Sequence, residues 1–572
     1  MFGKKNSKKI LNEKFIFIFL SSLIPLFIFL NRFLIPDYSF DSLYYHLFNG
    51  VRGFENYLWP FSKNEFYPVG FGTVSPIYDS LIYIFRLIAG YRLGTIIDLV
   101  SYVGIIWLVY LLLHEIVRFS IKIPRWLKFV LFFNATVVTE LLFQVSTQYV
   151  DIINTFLVML SLLYLVRYLK NHSRMNLFLA TILVSVSFLA KPTNLIYVTP
   201  FYGILLADTL TYKKYEWKYK ITILFVVGIL ISIPTLIYGY INFRFTGNPL
   251  FPMYNNIFHS IYSAPISFSA QQSGVGGQSL LQKIFWPIAS FWHPSGLAEP
   301  HSIFNDWKLG LYWLISFVLL IPAYWKKLSK FEKYTIFYFL ISVEVWSFIL
   351  GIMRYASVDI ILGGIIMIIF LVKTPFLLNI RSYSGILVPI VIIMIFDNYR
   401  IVSFNLKYDM SWRPSLVQNT SFYLSQKDNL FNNYLTYPDN INRYIKSSQI
   451  FLECVHQSSG LIALSGFDNK PVLSINTEPP TEAITGNSAY RRLVAEKISE
   501  VFGDKNVSFT TYAVTKGLDV EYQDCLNNLS IFGATITNRV ALNNFLGYPN
   551  EKVIVLFGRI NLDKYAGSYF KP

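Results

Sequence analysis

The stretch PDYSFDSLYYHL, residues 36–47, closes the first long apolar run; it sets Asp37 and Asp41 one helical turn apart and follows them with Tyr44, Tyr45 and His46. A carboxylate held at such a partly dehydrated boundary binds its proton more tightly than in bulk water, which suits a general base. Asp41 also opens a short helical stretch running to Gly50, so it has the place of an N-cap, a role worth about 1 kcal/mol. The two roles are compatible.

Ionisable groups at membrane depth are costly, so the few at the ends of apolar runs are the candidates for chemistry. After the opening stretch they are Glu65, Asp151, Lys191, His293, Glu299, His301 and Arg354. Asp151, in TQYVDIINTFLVML, opens an apolar run where a helix dipole would also favour an acid. Lys191 (FLAKPTN) and Arg354 (GIMRYASV) are single cations in apolar surroundings. Each could snorkel to the interface, and together they could hold a lipid-linked phosphate. His293 and His301 read as ordinary loop residues before they read as ligands. The chain has no P-loop, GxGxxG, paired CxxC, HExxH or GxSxG pattern, so soluble-nucleotide chemistry has no support.

The elements that must carry these groups are membrane helices. The 572 residues are 54% hydrophobic and 14% charged, against about 25% charged in soluble domains, and the mean hydropathy is +0.44. The formal charge of +16 is therefore read against topology before nucleic acid. Residues 1–14 are basic and 15–35 supply a bilayer-length apolar run with no small-residue cleavage site after it, which predicts an uncleaved first span. Further runs near 95–117, 127–145, 151–168, 176–190, 195–210, 221–242, 309–325, 335–350, 356–372 and 384–399 bring the expected number to about eleven. Lys191-Pro192 marks a kink or a tight turn within 176–210.

Alternate loops are basic (KKNSKK, RYLKNHSR, YKKYEWKYK, WKKLSKFEK), which puts them and the N-terminus in the cytoplasm and the 36–94 and 243–308 loops outside. Within the first external loop, residues 74–92 are apolar on one side but carry Asp79, Arg86 and Arg92, the pattern of a helix lying at the interface. Beyond 400 the chain turns polar, with β-like runs VLSI, SIFGATIT and KVIVLFG. The expected fold is an all-α polytopic membrane domain over 1–400, followed by a mixed α/β extracytoplasmic domain over 401–572. Cys454 and Cys525 both lie in the latter and are a disulfide or two buried thiols.

FDSLYYHL resembles the D-x-x-x-Y-H-L segment of bacterial GT-C glycosyltransferases related to the protein mannosyltransferase and aminoarabinose transferase group. YPVGFG (67–72), TQYVD (147–151), FLAKPTNLIYVTP (188–200), TGNPLFPMYN (246–255) and MRY (353–355) follow in matching order, so the resemblance spans roughly residues 15–372. It implies a GT-C type membrane domain, a polyprenyl-phosphate sugar donor, a glycan, lipid or protein acceptor, and an active site facing away from the cytoplasm at a bacterial inner membrane. Asp41 then matches the acid that activates the acceptor, Asp151 the second acid, and Lys191 and Arg354 the phosphate contacts; Glu65, Tyr45 and His46 line the substrate cavity. Ser42 stands where some relatives have a glutamate after the aspartate, so the resemblance does not carry their substrates over to this chain. No cofactor is required, since the leaving group is a stabilised phosphate, although the acids leave room for a divalent cation. The competing readings are an O-antigen polymerase or ligase with lipid-diphosphate donors, which should rely on arginine and histidine in a large external loop, and a transporter or flippase, which should show internal repeats.

Overall fold

The computed structural model describes residues 2–33, 37, 41–55, 75–90, 93–117, 124–251, 254–261, 279–289, 307–349, 351–374, 380–407, 439–455, 458, 461–462, 470–476, 488–515, 520–543 and 552–568. Each apolar run of the sequence falls on a helix: α1 (Phe2–Arg32), then, after the short α2 (Leu47–Glu55) and α3 (Ile77–Ala89), α4 (Ile96–Ile116), α5 (Arg125–Thr136) with the short α6 (Thr139–Phe143), α7 (Asp151–Asn171), α8 (Arg174–Ala190), α9 (Leu195–Thr211), α10 (Trp217–Thr246), α11 (Lys308–Leu320), α12 (Lys330–Ile349), α13 (Ser357–Lys373) and α14 (Ile380–Lys407). Among the described residues, five segments are long and apolar enough to cross a membrane, against the eleven expected: Glu13–Arg32, Leu93–Ile116, Asp151–Asn171, Trp217–Arg244 and Met353–Lys373. The helices α8 and α11 are shorter.

The 127–145 run shows why length alone misleads. It breaks at Val137–Val138, and the freed backbone groups find side chains: the Tyr102 hydroxyl donates to the Thr136 carbonyl (2.8 Å) and accepts from the Val138 amide (3.4 Å), while Lys308 Nζ donates to the Val137 carbonyl (3.1 Å). A helix can end inside an apolar layer only when its open carbonyls and amides are met in this way.

Outer faces are apolar. Phe15, Phe19 and Phe27 of α1 and Phe225, Leu236 and Phe243 of α10 are exposed, as befits surfaces turned to lipid. By contrast α13 is buried over most of its length and meets α11 and α5 through glycines. A Cβ on Gly363 would lie 2.1 Å from the Tyr312 ring, and one on Gly364 would lie 2.6 Å from the Ala135 Cβ. Gly363→Val should therefore force the helices apart, costing about 1–3 kcal/mol as overpacking does; a thermal melt of the detergent-solubilised protein within 1 °C of wild type would show that the contact yields freely.

The helix α3 differs from the expected interfacial helix. Its charges point inward, with Asp79 and Arg86 only 4% exposed, while Leu87 and Ile88 face out at 54% and 79%. The cause is pairing, since His46 Nδ1 lies 2.7 Å from Asp79 Oδ1 and Arg86 lies beside the buried Asp98. Arg92, the third charge of that pattern, lies outside the described residues.

The chain after α14 forms a five-stranded mixed sheet of β1 (Ile450–Glu453), β2 (Val472–Ser474), β3 (Asn506–Thr515), β4 (Ala534–Asn543) and β5 (Lys552–Asn561), in the order β2-β1-β3-β5-β4. The strand β1 runs parallel to β2 and β3, and β5 runs antiparallel to β3 and β4. Period-two alternation gives the sheet two apolar faces. Leu452, Ala513, Ile554 and Leu556 pack with Ile498 of α16 (Ser488–Phe502) and Leu529 of α17 (Val520–Ile531), where a disulfide joins Cys454 to Cys525. The other face, with Tyr512, Val514, Val553, Val555 and Phe557, packs with Ile441 and Ile445 of α15 (Asp439–Ser447), and also with Leu47, Phe48 and Val51 of α2.

Candidate active site

Four chain features bring the sequence-predicted site residues to one place. Asp41 precedes a single wide turn, Ser42–His46, that runs straight into α2, and its side chain makes no capping hydrogen bond. The cap role is thus not the one its carboxylate fills. Asp151 sits in the first turn of α7, where the helix dipole favours an acid. Lys191 ends α8 in an extended conformation (φ −144°, ψ 96°), as the following Pro192 requires, and a short turn, Pro192–Asn194, leads into α9. Arg354 lies in the turn Met353–Ala356 ahead of α13. That turn is fixed by Gly351 in the left-handed conformation (φ 65°) and by two indoles, since Trp346 donates to the Ile352 carbonyl (2.7 Å) and Trp286 to the Gly351 carbonyl (3.2 Å).

These residues form a connected ion-pair chain. Arg354 Nη1 donates to Asp41 Oδ2 at 2.6 Å, Arg354 Nε lies 3.7 Å from Asp151 Oδ2, and Lys191 Nζ donates to Asp151 Oδ1. The Arg354 and Asp151 side chains are 8% and 5% exposed, and that of Asp41 is 13% exposed. Alternating charges let buried ions compensate one another, whereas any one alone would be strongly disfavoured. The guanidinium also lies between two rings, with Cζ 5.0 Å from the Tyr149 centroid and 5.2 Å from that of Tyr355, and Lys191 Nζ is 4.3 Å from Tyr355. A small polar cleft of about 10 Å³, room for one water, opens beside them, lined by Asp151, Asn154, Thr193, Asn194, Arg354 and Tyr355.

A second layer was not legible as such in the sequence. Tyr149 accepts from the Asp41 amide (3.4 Å), and its ring lies 5.5 Å from His46. His46 is held by Asp79 and so braces the wall behind Asp41. Asp37 accepts from the Gln148 amide (2.6 Å), which pins the turn leading to Asp151. Asn154 and Asn194 pair through their amides at the cleft, and Tyr78 donates to Asn154 (3.1 Å), tying α7 and the turn before α9 to α3. Tyr45 lies against His46, with ring centroids 4.1 Å apart. Burial first, and the neighbouring Asp41 carboxylate second, push its phenol well above the ordinary value, so Tyr45 stays protonated and can donate.

Glu65, His293, Glu299, His301 and the Tyr44 side chain lie outside the described residues. Among the described residues no group of three or more His, Cys, Asp and Glu could hold a metal ion. A cation bridging Asp41 and Asp151 would have to displace Arg354, which contacts both.

The chain is similar to solved structures of an archaeal oligosaccharyltransferase. One is the AglB enzyme of Archaeoglobus fulgidus in complex with an inhibitory peptide and a dolichol-phosphate, matched over 91% of this chain and 72% of that one, at 13% identity and a TM-score of 0.46. Another is the Archaeoglobus fulgidus oligosaccharyltransferase in complex with Zn and sulfate, matched over 86% and 67%, at 12% identity and a TM-score of 0.44. No family model and no curated protein matches the chain. At such identities and scores the likeness says nothing of substrate or reaction, and the chemistry has to come from the side chains themselves.

Proposed function

We propose that this chain is a membrane glycosyltransferase that moves a sugar from a polyprenyl-phosphate-linked donor to an envelope glycan, lipid or protein acceptor, on the extracytoplasmic side of a bacterial inner membrane. The observation that carries this reading is the run Asp41–Arg354–Asp151–Lys191 beside a polar cleft at the ends of apolar helices. In it, Lys191 and Arg354 take the donor phosphate. A phosphate that engages the guanidinium competes with Asp41 for it, and so frees Asp41 Oδ2 to accept the acceptor's hydroxyl proton. The acceptor oxygen bonds to the anomeric carbon as the bond from that carbon to the phosphate oxygen breaks. The electron pair leaves with the phosphate, whose added charge the two cations offset. A single displacement of this kind inverts the anomeric centre. Asp151 orients both cations, and Tyr45 supplies a neutral donor near Asp41. None of these steps calls on a metal.

Topology agrees with the chemistry. The Cys454–Cys525 disulfide belongs to the sheet that packs on α2, a few residues from Asp41, and disulfides persist in compartments outside the cytoplasm. A basic N-terminus in the cytoplasm followed by one span, α1, would put Asp41 on the opposite side.

The test is a choice of donors. Purified protein supplied with envelope acceptors is expected to turn over polyprenyl-phosphate monosaccharides; turnover only with diphosphate-linked oligosaccharides would replace this reading with a polymerase or ligase.

A further inference from the structure

We propose that the C-terminal sheet is a positioning element of the active site, holding Asp41 in place through α2. The proposal rests on Asp41 as the base. Three observations carry it. First, Leu47, Phe48 and Val51 of α2 are 3%, 1% and 9% exposed and share one apolar cluster with Tyr512, Val553 and Val555 of the sheet. A nine-residue helix is too short to hold its shape alone in water, so α2 stays formed by packing on α3 on one side and on the sheet on the other. Second, there is no loop between α2 and the base: Asp41 passes through the single wide turn Ser42–His46 into Leu47, so a displacement of α2 is delivered to the carboxylate rather than absorbed. Third, the other side of α2 is already fixed. A Cβ on Gly50 would lie 2.9 Å from the Asp79 carbonyl oxygen, and His46 pairs with Asp79. The helix is therefore wedged between α3 and the sheet.

A misplacement of about 1 Å at a reacting group can cost on the order of 100-fold in rate. The sheet need not touch substrate to matter at that scale. Lys191 and Arg354 come from α8 and the turn before α13, neither of which packs in this cluster. The proposal thus separates two effects: loosening α2 slows the chemical step but does not weaken donor capture, since Asp41 only competes with the phosphate for Arg354.

The experiment uses the full chain with Phe48→Ala, Phe48→Leu and the sheet-side Val555→Ala. Phe48→Ala is expected to lower kcat about 10- to 100-fold with the donor KM within about twofold; Phe48→Leu should restore most of the rate, and Val555→Ala should move kcat in the same direction. Wild-type kcat in both alanine variants overturns the proposal, as does a loss shared equally by kcat and donor KM that leucine does not repair. If Phe48→Ala fails to fold, Val555→Ala and Phe48→Leu decide by the same criteria. Transfer by Asp41→Asn at the wild-type rate would instead remove the base assignment, so the two failures are distinguishable.

Discussion

Asp41→Asn is expected to lower kcat by about 10²–10⁴-fold, the usual span for loss of a positioned general base, while donor binding persists. Asparagine keeps the size and shape of the side chain but does not take a proton from the acceptor hydroxyl. The variant also removes one of the two carboxylates that hold Arg354, so the guanidinium meets the donor phosphate with less competition. Donor affinity should stay level or tighten as turnover collapses. Initial rates, paired with equilibrium binding of the polyprenyl-phosphate sugar, measure both quantities. A rate within threefold of wild type would mean that Asp41 serves Arg354 and the acceptor finds its base elsewhere.

Arg354→Ala should do more damage, and of two kinds. Asp41 would lose its guanidinium and Asp151 would retain Lys191 alone, in surroundings where both side chains are largely buried. Removing one member of a buried ion-pair network costs about 3–5 kcal/mol, because the remaining charge is uncompensated. Separately, the departing phosphate would lose a cation, for which about 10²–10³-fold in kcat and a raised donor KM are expected. Arg354→Lys distinguishes the two: an ammonium restores charge but not a planar fork that reaches two carboxylates, so the melting temperature should recover further than the rate does. Equal recovery of both would show that Arg354 is structural only.

The acids and cations of the site were legible because each stands alone where an apolar run ends, and a lone charge in such a place needs a reason. Their partners were less so. Asp79 and Arg86 share a helix with Leu87 and Ile88, and sequence assigns the charged side of such a helix to water. Only the fold shows His46 and Asp98 waiting on the inner side. Asp37, one helical turn before Asp41 in the sequence, binds the backbone of Gln148, a hydrogen bond between residues 111 apart that no local pattern encodes. The break at Val137–Val138 was hidden for the same reason, as Tyr102 and Lys308 make it tolerable from other helices. Three of the five strands, β2, β4 and β5, were foreseeable as the β-like runs VLSI, SIFGATIT and KVIVLFG, but not β1 and β3, nor that α2 would complete the sheet's second face.

That last arrangement also sets an order in time. The helix α2 is made early and β5, which completes the sheet, roughly 500 residues later, which at about 5–20 residues per second is a delay on the order of 25–100 s. During that interval the nascent chain carries its acid end without the sheet that steadies it. A chain cut short after α14 would still hold its membrane helices and all four charged site residues, yet would be expected to be a poor catalyst. Completion of synthesis would itself be the step that makes the proposed transfer site competent.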